Sequence, residues 1–405
     1  MDDFLPPDTR ELREAFVQFM QREILPALPA FEAAGEFPRA LVQKTGEAGW
    51  FGVVFPPQLG GTDLGFLAMA VLAEEMARLN PGFALCHNQQ AMTCPYTVFA
   101  GGTDEQCQRF IPDLIGGRAI GLWSLTESGG GSDAAGNLKT FAERRGDRYL
   151  LNGRKMFATL ADQTDTGVLF ARTDRDAGHH GITAFVVEPR KYAGYLAQPI
   201  DFVGLSGMTR SCEVVLENFE VPVDNRIGAE GDGFRLAMHA IQAGRVSVAA
   251  RAVGIARACL EEAIQYVQQR SIRGRPLASY QMTQAALADA LVSVEAARLM
   301  TWQAATLMDQ DRPANRIAAQ AKLAASFALK QAAASAQELF GGYGLASEYR
   351  IARLASYAHV FLVGEGAPAV QRILIAEDAL GIKDAERHRV SYRYPRGRPA
   401  GEESQ

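Results

Sequence analysis

Glu365 stands between two glycines in Val363-Gly-Glu-Gly-Ala-Pro368, an otherwise apolar stretch. Flanking glycines let a carboxylate occupy an irregular segment that points into a cavity. Burial there disfavours the charged form, raises the carboxyl pKa and suits the group to general-base work near neutral pH. A solvent-exposed turn glutamate would carry the same residues, so this segment alone leaves both readings open.

Four other segments could contact a ligand. Leu125-Thr-Glu-Ser-Gly-Gly-Gly-Ser-Asp133 sets three glycines among hydroxyls and carboxylates. Backbone N–H groups in such a loop can approach a phosphate or a flat ring. No Gly-Lys-Ser/Thr follows, and strand-like residues rather than a helix come next, so it is neither a Walker loop nor a dinucleotide fingerprint. Tyr149-Leu-Leu-Asn-Gly-Arg-Lys-Met-Phe-Ala-Thr159 reads as a tight hairpin about Asn152-Gly153, able to present Phe157 and Thr159 to something flat and hydrogen-bonding. Arg270-Ser-Ile-Arg-Gly-Arg-Pro-Leu277 places three arginines in six residues at the end of a helix. This is either a basic cap favoured by the helix dipole or a clamp for a pyrophosphate. Glu338-Leu-Phe-Gly-Gly-Tyr-Gly344 permits a helix stop or a close backbone approach to a ligand.

The elements that must position these residues fall into three blocks. From about Pro7 to Arg118 the pattern is helical. Glu11 to Leu25 carries Leu12, Ala15, Phe16, Phe19 and Ile24 near helical spacing, and Phe66 to Leu79 does the same. From about Ile120 to Pro222 the apolar runs shorten. Gly167 to Arg172, Ile182 to Glu188 and Cys212 to Leu216 read as strands bounded by turn residues. From Gly233 to about Asp378 the helical pattern returns. Arg245 to Arg270 alone spans about 39 Å at 1.5 Å per residue. Pro313 to Phe340 begins on a proline and stops at Gly341-Gly342. The fold class is α+β, mainly α. Residues 1–120 form an N-terminal helical domain, 121–228 a middle antiparallel β domain and 229–385 a long-helix bundle. A tail from 386 to 405 is expected to be extended or mobile.

Composition removes whole classes of function. At 405 residues the chain exceeds what one core usually supports. With 48% hydrophobic and 21% charged residues it can bury large cores, which excludes bulk disorder. A net charge of −5 gives no electrostatic footprint for nucleic acid or anionic membrane. No apolar run is long enough to span a bilayer, and Met1 to Arg10 lacks the pattern of a signal peptide. Five cysteines, an odd number without a CxxC pair, argue against a disulfide framework and a zinc site. They read as core thiols of a reducing, cytoplasmic compartment. No HExxH exists among the six histidines, so hard chemistry needs an organic cofactor.

Order and spacing together point further. Gly46-Glu-Ala-Gly-Trp-Phe-Gly52, Pro56-Pro-Gln-Leu-Gly-Gly61, Glu74-Glu-Met-Ala-Arg78, Thr126-Glu-Ser-Gly-Gly-Gly-Ser-Asp133, Leu151-Asn-Gly-Arg-Lys155, Arg270, Gly341-Gly342 and Gly364-Glu-Gly366 follow one another as in a known family. From about Glu11 to Lys383 the chain resembles the acyl-CoA dehydrogenase flavoproteins. The resemblance implies FAD between the β domain and the bundle, with Thr126 by the flavin ring and Ser132 by the pyrophosphate. Phe157 and Thr159 would pack on and hydrogen-bond the isoalloxazine. Arg270, with Gly341, Gly342 and either Gln337 or Glu338, would reach the FAD of a neighbouring subunit, which implies a homodimer or homotetramer. Glu365 matches the catalytic base. Some members place that base just before Arg245, where this chain has Gly244. The implied reaction is α,β-dehydrogenation of an acyl thioester, as in fatty acid metabolism. Glu365 takes the α-proton while a hydride leaves the β-carbon for the flavin. The carbonyl would be polarised by a flavin hydroxyl and by the base residue's N–H. The acyl group would ride on coenzyme A or on an acyl or peptidyl carrier protein. Electrons would pass to an electron-transferring flavoprotein.

Several positions depart from the family pattern. Ser128, Phe157, Leu160, Arg273 and Ala367 replace its usual Pro, Trp, Asn, Phe and Thr. Glu338 brings a carboxylate towards a pyrophosphate that it would repel. Gly364 replaces a tyrosine and, with Arg245, bounds a wider pocket suited to a branched, cyclic or substituted acyl group. Two rival readings share the fold: a flavin oxidase or monooxygenase that uses oxygen, and a non-catalytic scaffold.

Overall fold

The computed structural model describes residues 4–202, 204–205 and 207–390. Helix α1 (Pro7–Phe19) runs into a π-helical turn at Met20–Ile24. Phe16, Met20 and Ile24 recur every four residues and are all buried, so the wider turn keeps one apolar face inward. Helices α2 (Leu28–Ala34), α3 (Arg39–Glu47) and α4 (Phe66–Leu79) follow. α4 is apolar nearly all round and lies inside the molecule. Its adjacent carboxylates Glu74 and Glu75 are buried but paired. Arg298 reaches Glu74 at 2.7 Å; Arg257 and Arg78 reach Glu75 at 2.8 and 2.6 Å. Short helices α5 (Pro81–Ala84), α6 (His87–Ala91), α7 (Thr93–Gly101) and α8 (Asp104–Ile115) complete the first block.

The middle block comprises β1 (Gly121–Ser124), α9 (Ala134–Asn137), β2 (Phe141–Arg145), β3 (Arg148–Thr159), β4 (Thr166–Arg172), β5 (Ile182–Val187), β6 (Tyr195–Ile200), β7 (Ser211–Pro222) and β8 (Arg226–Ile227). The strand order is β6-β7-β3-β2-β4-β5-β8, with β1 beside β4. Pairing is largely antiparallel, as the sequence predicts. The exceptions are β1, which runs parallel to β4, and one parallel bridge between β2 and β4.

The hairpin predicted at Asn152-Gly153 is not formed. β3 runs through these residues as a single 12-residue strand paired along β7. Asn152 sits in a bulge between Leu151 and Gly153, where it exchanges hydrogen bonds with Asn218 on β7: 2.8 Å from the Asn218 N–H and 3.2 Å between side chains. Glycine is needed at 153 for packing rather than for a turn, since a Cβ there would lie 2.7 Å from Thr140 Cα. The chain reverses upstream instead, at Gly146 with φ +62.

The third block opens with α10 (Gly233–Gln269), 37 residues and about 55 Å long. A small hairpin, β9 (Ser271–Ile272) with β10 (Arg275–Pro276), caps its end; helices α11 (Gln281–Asp309), α12 (Asn315–Phe340), α13 (Arg350–Val363) and α14 (Pro368–Ala379) follow. α10 packs against α4, α11, α12 and α13, so one core joins the two helical blocks. Gly254 allows α10 to approach α4 closely: a Cβ there would lie 2.9 Å from the Glu74 carbonyl carbon. The sheet keeps a core of its own around Tyr149, Phe185 and Phe219.

The tail predicted from 386 is not loose at its start. Glu386 accepts from the Asn315 N–H at 2.6 Å, and Arg389 donates to the Asp311 carbonyl at 2.7 Å. Residues 391–405 of that predicted tail lie outside the described residues.

Candidate active site

Glu365 occupies the turn between α13 and α14 with φ +51, next to Gly366 at φ +96. A side chain at positive φ is strained and persists only where its surroundings fix it. Two side chains fix this one. Lys322 of α12 is buried and donates to the carbonyls of Leu362 and Gly366, each at 2.9 Å. Gln371 of α14 donates to the carbonyls of Glu365 and Gly366 at 3.2 and 3.0 Å.

The carboxylate points inward, between α6 and α10. Asn88 donates to its Oε1. Oε2 is buried and has no hydrogen-bond partner among the described residues. It fills the space that a side chain at Gly244 would take. A Cβ on Gly244 would overlap Oε2 and lie 2.9 Å from Glu365 Cδ and 3.0 Å from Thr93 Cγ2. Burial pushes the Glu365 carboxyl up to about 7; Arg251, Arg245, Lys322 and the Asn88 hydrogen bond pull it partly back. The residue as a whole is half-buried, but its Oε2 is enclosed, and the carboxylate's own burial governs titration. A carboxyl poised near neutrality, with one free oxygen, can accept a proton at working pH.

Arg245 is buried one residue beyond Gly244 and donates to Asn315 Oδ1 at 2.5 Å. Gly364 caps α13 and is exposed; a Cβ there would meet only the Val360 carbonyl, at 3.2 Å. Asn88, Lys322, Gln371 and Arg251 escaped the sequence reading. Polar residues at helical spacing look like a solvated face, and only burial distinguishes them.

The middle block gathers a second set. Thr126 lies beside Phe157, because the Met156 N–H donates to the Thr126 carbonyl at 2.9 Å. A bulge between Lys155 and Ala158 puts Phe157 at φ +59 and turns its ring out of the sheet, 54% exposed. Thr159 ends the same strand, half-buried. Ser132 lies exposed on the glycine loop, where a Cβ on Gly129 or Gly131 would meet nothing within 4 Å. The carboxylates of this loop are engaged internally. Glu127 accepts from Lys139 N at 2.7 Å, Thr140 Oγ1 at 2.6 Å and Lys155 Nζ at 2.8 Å. Asp133 accepts from Gly136 N at 3.0 Å and Asn137 Nδ2 at 2.9 Å. What remains on offer is hydroxyls, open backbone and the half-exposed ring of Phe157, whose neighbour is Phe202 at 5.8 Å. That donor set fits a flat heteroaromatic ring joined to phosphates.

The third set lies elsewhere. Arg270 is exposed at the end of α10, and the arginine cluster after it forms the β9–β10 hairpin, with Arg273 and Gly274 at its tip (φ +52 and +74). Gly341 and Gly342 cap α12 with nothing within 4 Å of an added Cβ. Gln337 donates to its own chain at Gly344, 3.3 Å, and Glu338 is exposed. Tyr266 stacks on Phe340 at 4.0 Å, which ties this end of α10 to this end of α12. Arg270 stands 26 residues beyond Gly244 along the helix, about 39 Å away. Within one chain, therefore, the set at Arg270 and the set at Glu365 are not brought together.

Three family models match the chain in order. They are the acyl-CoA dehydrogenase N-terminal domain over residues 6–118, the middle domain over 123–219 and the C-terminal domain over 231–380. The chain belongs to the acyl-CoA dehydrogenase family. It is 35% identical to a glutaryl-CoA dehydrogenase of Desulfococcus multivorans, over 96% of this chain and 100% of that one. It is 33% identical to CarC, a subunit of the caffeyl-CoA reductase–Etf complex of Acetobacterium woodii, over 92% and 98%. A solved glutaryl-coenzyme A dehydrogenase in complex with glutaryl-CoA superposes with a TM-score of 0.92 at 34% identity, covering 97% of this chain and all of that one. As a member of the family, the chain is an oxidoreductase acting on CH–CH bonds, and its cofactor is FAD. Among the described residues, no helix is long and apolar enough to cross a membrane.

Proposed function

We propose that the chain dehydrogenates an acyl thioester between its α- and β-carbons, with Glu365 as the base. The observation that carries this reading is the enclosed, unpartnered Oε2 of Glu365, on a carboxyl raised to about 7. A thioester α-proton is too weakly acidic for an ordinary exposed carboxylate. Raising the base and polarising the carbonyl both narrow that gap. The Glu365 N–H makes no hydrogen bond among the described residues, so it is free to donate to the thioester oxygen. One such donor is worth about 3–4 kcal/mol in other enzymes. Asn88 holds the carboxylate, and Lys322 and Gln371 hold its turn.

FAD, when bound, supplies the two-electron acceptor for the hydrogen that leaves the β-carbon. Thr126, Phe157 and Thr159 would hold its ring and Ser132 its pyrophosphate. Arg270, Gly341, Gly342 and either Gln337 or Glu338 would reach the FAD of a neighbouring subunit. That reading makes the working enzyme a homodimer or a homotetramer. An electron-transferring flavoprotein is the proposed electron acceptor, on the strength of the relative that is itself a subunit of an Etf complex.

The test is an anaerobic absorption titration of the FAD-loaded protein with coenzyme A and carrier-protein thioesters. Bleaching of the flavin bands by one acyl group supports the reading and shows which carrier is used. A yellow protein that no thioester bleaches, but that consumes oxygen with another substrate, would replace it with the oxidase reading.

A further inference from the structure

One face of α10 carries a buried cation, Arg251, which acts on the Glu365 carboxyl only at a distance and forms no ion pair with it. Gly244, Ser247 and Arg251 recur at i, i+3 and i+7, so they lie in one stripe along the helix. The stripe begins at the Glu365 carboxylate, which packs on Gly244. Its middle is met by α6: His87 Nδ1 lies 3.1 Å from Ser247 Oγ. Its far end is Arg251, whose Nη1 donates to the Ala84 carbonyl at 3.2 Å and whose Nε donates back to the Ser247 carbonyl at 3.4 Å. The guanidinium lies 5.4 Å from the centre of the Phe361 ring on α13. One turn further on, Gly254 is in tight contact with α4, which closes the stripe.

Arg251 is 4% exposed, and among the described residues no carboxylate forms an ion pair with it. Its partners are neutral carbonyls and a ring. A buried guanidinium so placed is costly unless something anionic joins it. The surrounding charge is already in excess. Arg251, Arg245 and Lys322 all act on the single carboxylate of Glu365. A neighbouring ring nitrogen is also unsatisfied. His87 Nε2 is buried and has no hydrogen-bond partner among the described residues, and it can donate when Nδ1 accepts from Ser247. A plain hydrocarbon tail would leave both this nitrogen and the guanidinium without an anionic partner.

We propose that this stripe is a subsite for an acyl group that ends in a carboxylate, with Arg251 as its charge partner. The inference rests on the dehydrogenase reading and extends it from the reacting carbons to the tail. An acyl chain whose α-carbon lies at Glu365 would run along the stripe past Ser247. The seven residues from Gly244 to Arg251 rise about 10 Å. The Arg251 side chain folds back one turn, as its bond to the Ser247 carbonyl records, so the distance to be bridged is shorter. A short dicarboxylic acyl group matches that span. Its carboxylate would pair with a planar donor fork, and His87 and Ser247 would line its path.

The experiment uses the FAD-loaded protein under anaerobic conditions. Flavin reduction is followed with succinyl-, glutaryl- and adipyl-CoA, each against the unsubstituted acyl-CoA of equal length. Binding of the matching enoyl dicarboxylic thioesters is read separately from the shift they cause in the flavin spectrum. The expected result is a preference for at least one dicarboxylic thioester. In Arg251→Met that preference falls about 100-fold and the enoyl thioester binds more weakly, while Arg251→Lys recovers part of both. Reduction by the unsubstituted thioesters with no dicarboxylic preference would overturn the subsite alone and leave the dehydrogenase reading standing. So would an unchanged preference in Arg251→Met. Reduction by no thioester in the panel would overturn both.

Discussion

The carboxylate of Glu365 occupies the side-chain space of Gly244. One lies on α10 and the other in the turn between α13 and α14, 121 positions apart in the chain, yet a Cβ on Gly244 would overlap Oε2 of Glu365. The glycine is therefore a steric requirement of the base, not merely an absence of a second acid. Gly244→Ala should displace the carboxylate by at least a bond length. Misplacement on that scale costs about 100-fold in rate. The same change favours the helix by about 0.5–1 kcal/mol on propensity alone, so lost activity would not reflect a weakened helix. Single-turnover flavin reduction beside a thermal unfolding curve separates the two effects. An unaltered rate would show that the carboxylate does not need this space.

The pH dependence should report Glu365 directly. A base must be deprotonated to act, so kcat/KM should rise about tenfold per pH unit on the acid side and level off near pH 7. A carboxyl at its ordinary value of 4.5 would give a profile already flat at pH 6. Lys322 lowers the Glu365 pKa, so Lys322→Met should move the break to higher pH. Glu365→Gln should bind FAD and lose at least about 1,000-fold in reduction rate. The stability effect has a matching sign. The folded carboxyl titrates above its unfolded value, so its contribution to stability is complete below about 4.5 and is lost as pH rises through about 7. Glu365→Gln should therefore gain stability over the native protein at pH 8 relative to pH 5, measured by denaturant unfolding at the two values.

Much of this was legible in the residues. Gly364-Glu-Gly366 marked an irregular carboxylate, and the helical period found α4 to the residue. What was not legible depends on burial and on cross-strand partners. Asn152-Gly153 carries the residues of a tight turn, but Asn218, far away in sequence, bonds Asn152 and keeps the strand running. Arg251 and His87 look like ordinary polar residues of a helix until α6 and α13 close over them. The arginine cluster, read as either a helix cap or a pyrophosphate clamp, folds after Arg270 as a hairpin, with Arg273 and Gly274 at positive φ.

The glycine loop depends on one buried ion pair. Lys155 is fully buried and donates to Glu127 at 2.8 Å and to the Leu125 carbonyl at 3.2 Å. Burial lowers the lysine to about 8, and its charge in turn holds the Glu127 carboxyl below the usual range. Lys155→Met would leave Glu127 buried without its cation. Breaking one side of such a pair costs about 3–5 kcal/mol. Denaturant unfolding should show that loss, and FAD affinity should fall with it because Thr126 and Ser132 ride on the same loop. Loss of stability below about 1 kcal/mol would mean that the three hydrogen bonds from Lys139 and Thr140 hold Glu127 unaided.

The last prediction concerns which chains build one FAD site. Phe157 offers its ring from the sheet, while Arg270 lies exposed beyond the far end of α10. Phe157→Ala removes a half-exposed ring and should leave the fold nearly as stable, with FAD affinity reduced. Arg270→Met should do the same, since its guanidinium has no partner among the described residues. If the two residues serve the FAD of one chain, mixing the variants restores nothing, because every site keeps one defect. If Arg270 serves the neighbour's FAD, a hybrid dimer contains one doubly damaged site and one intact site. Differently tagged variants can be co-expressed and the hybrid isolated by both tags. The flavin-to-protein absorbance ratio should then be half that of the native protein. A hybrid as flavin-poor as either parent would place Arg270 outside the FAD site or within a site made by a single chain.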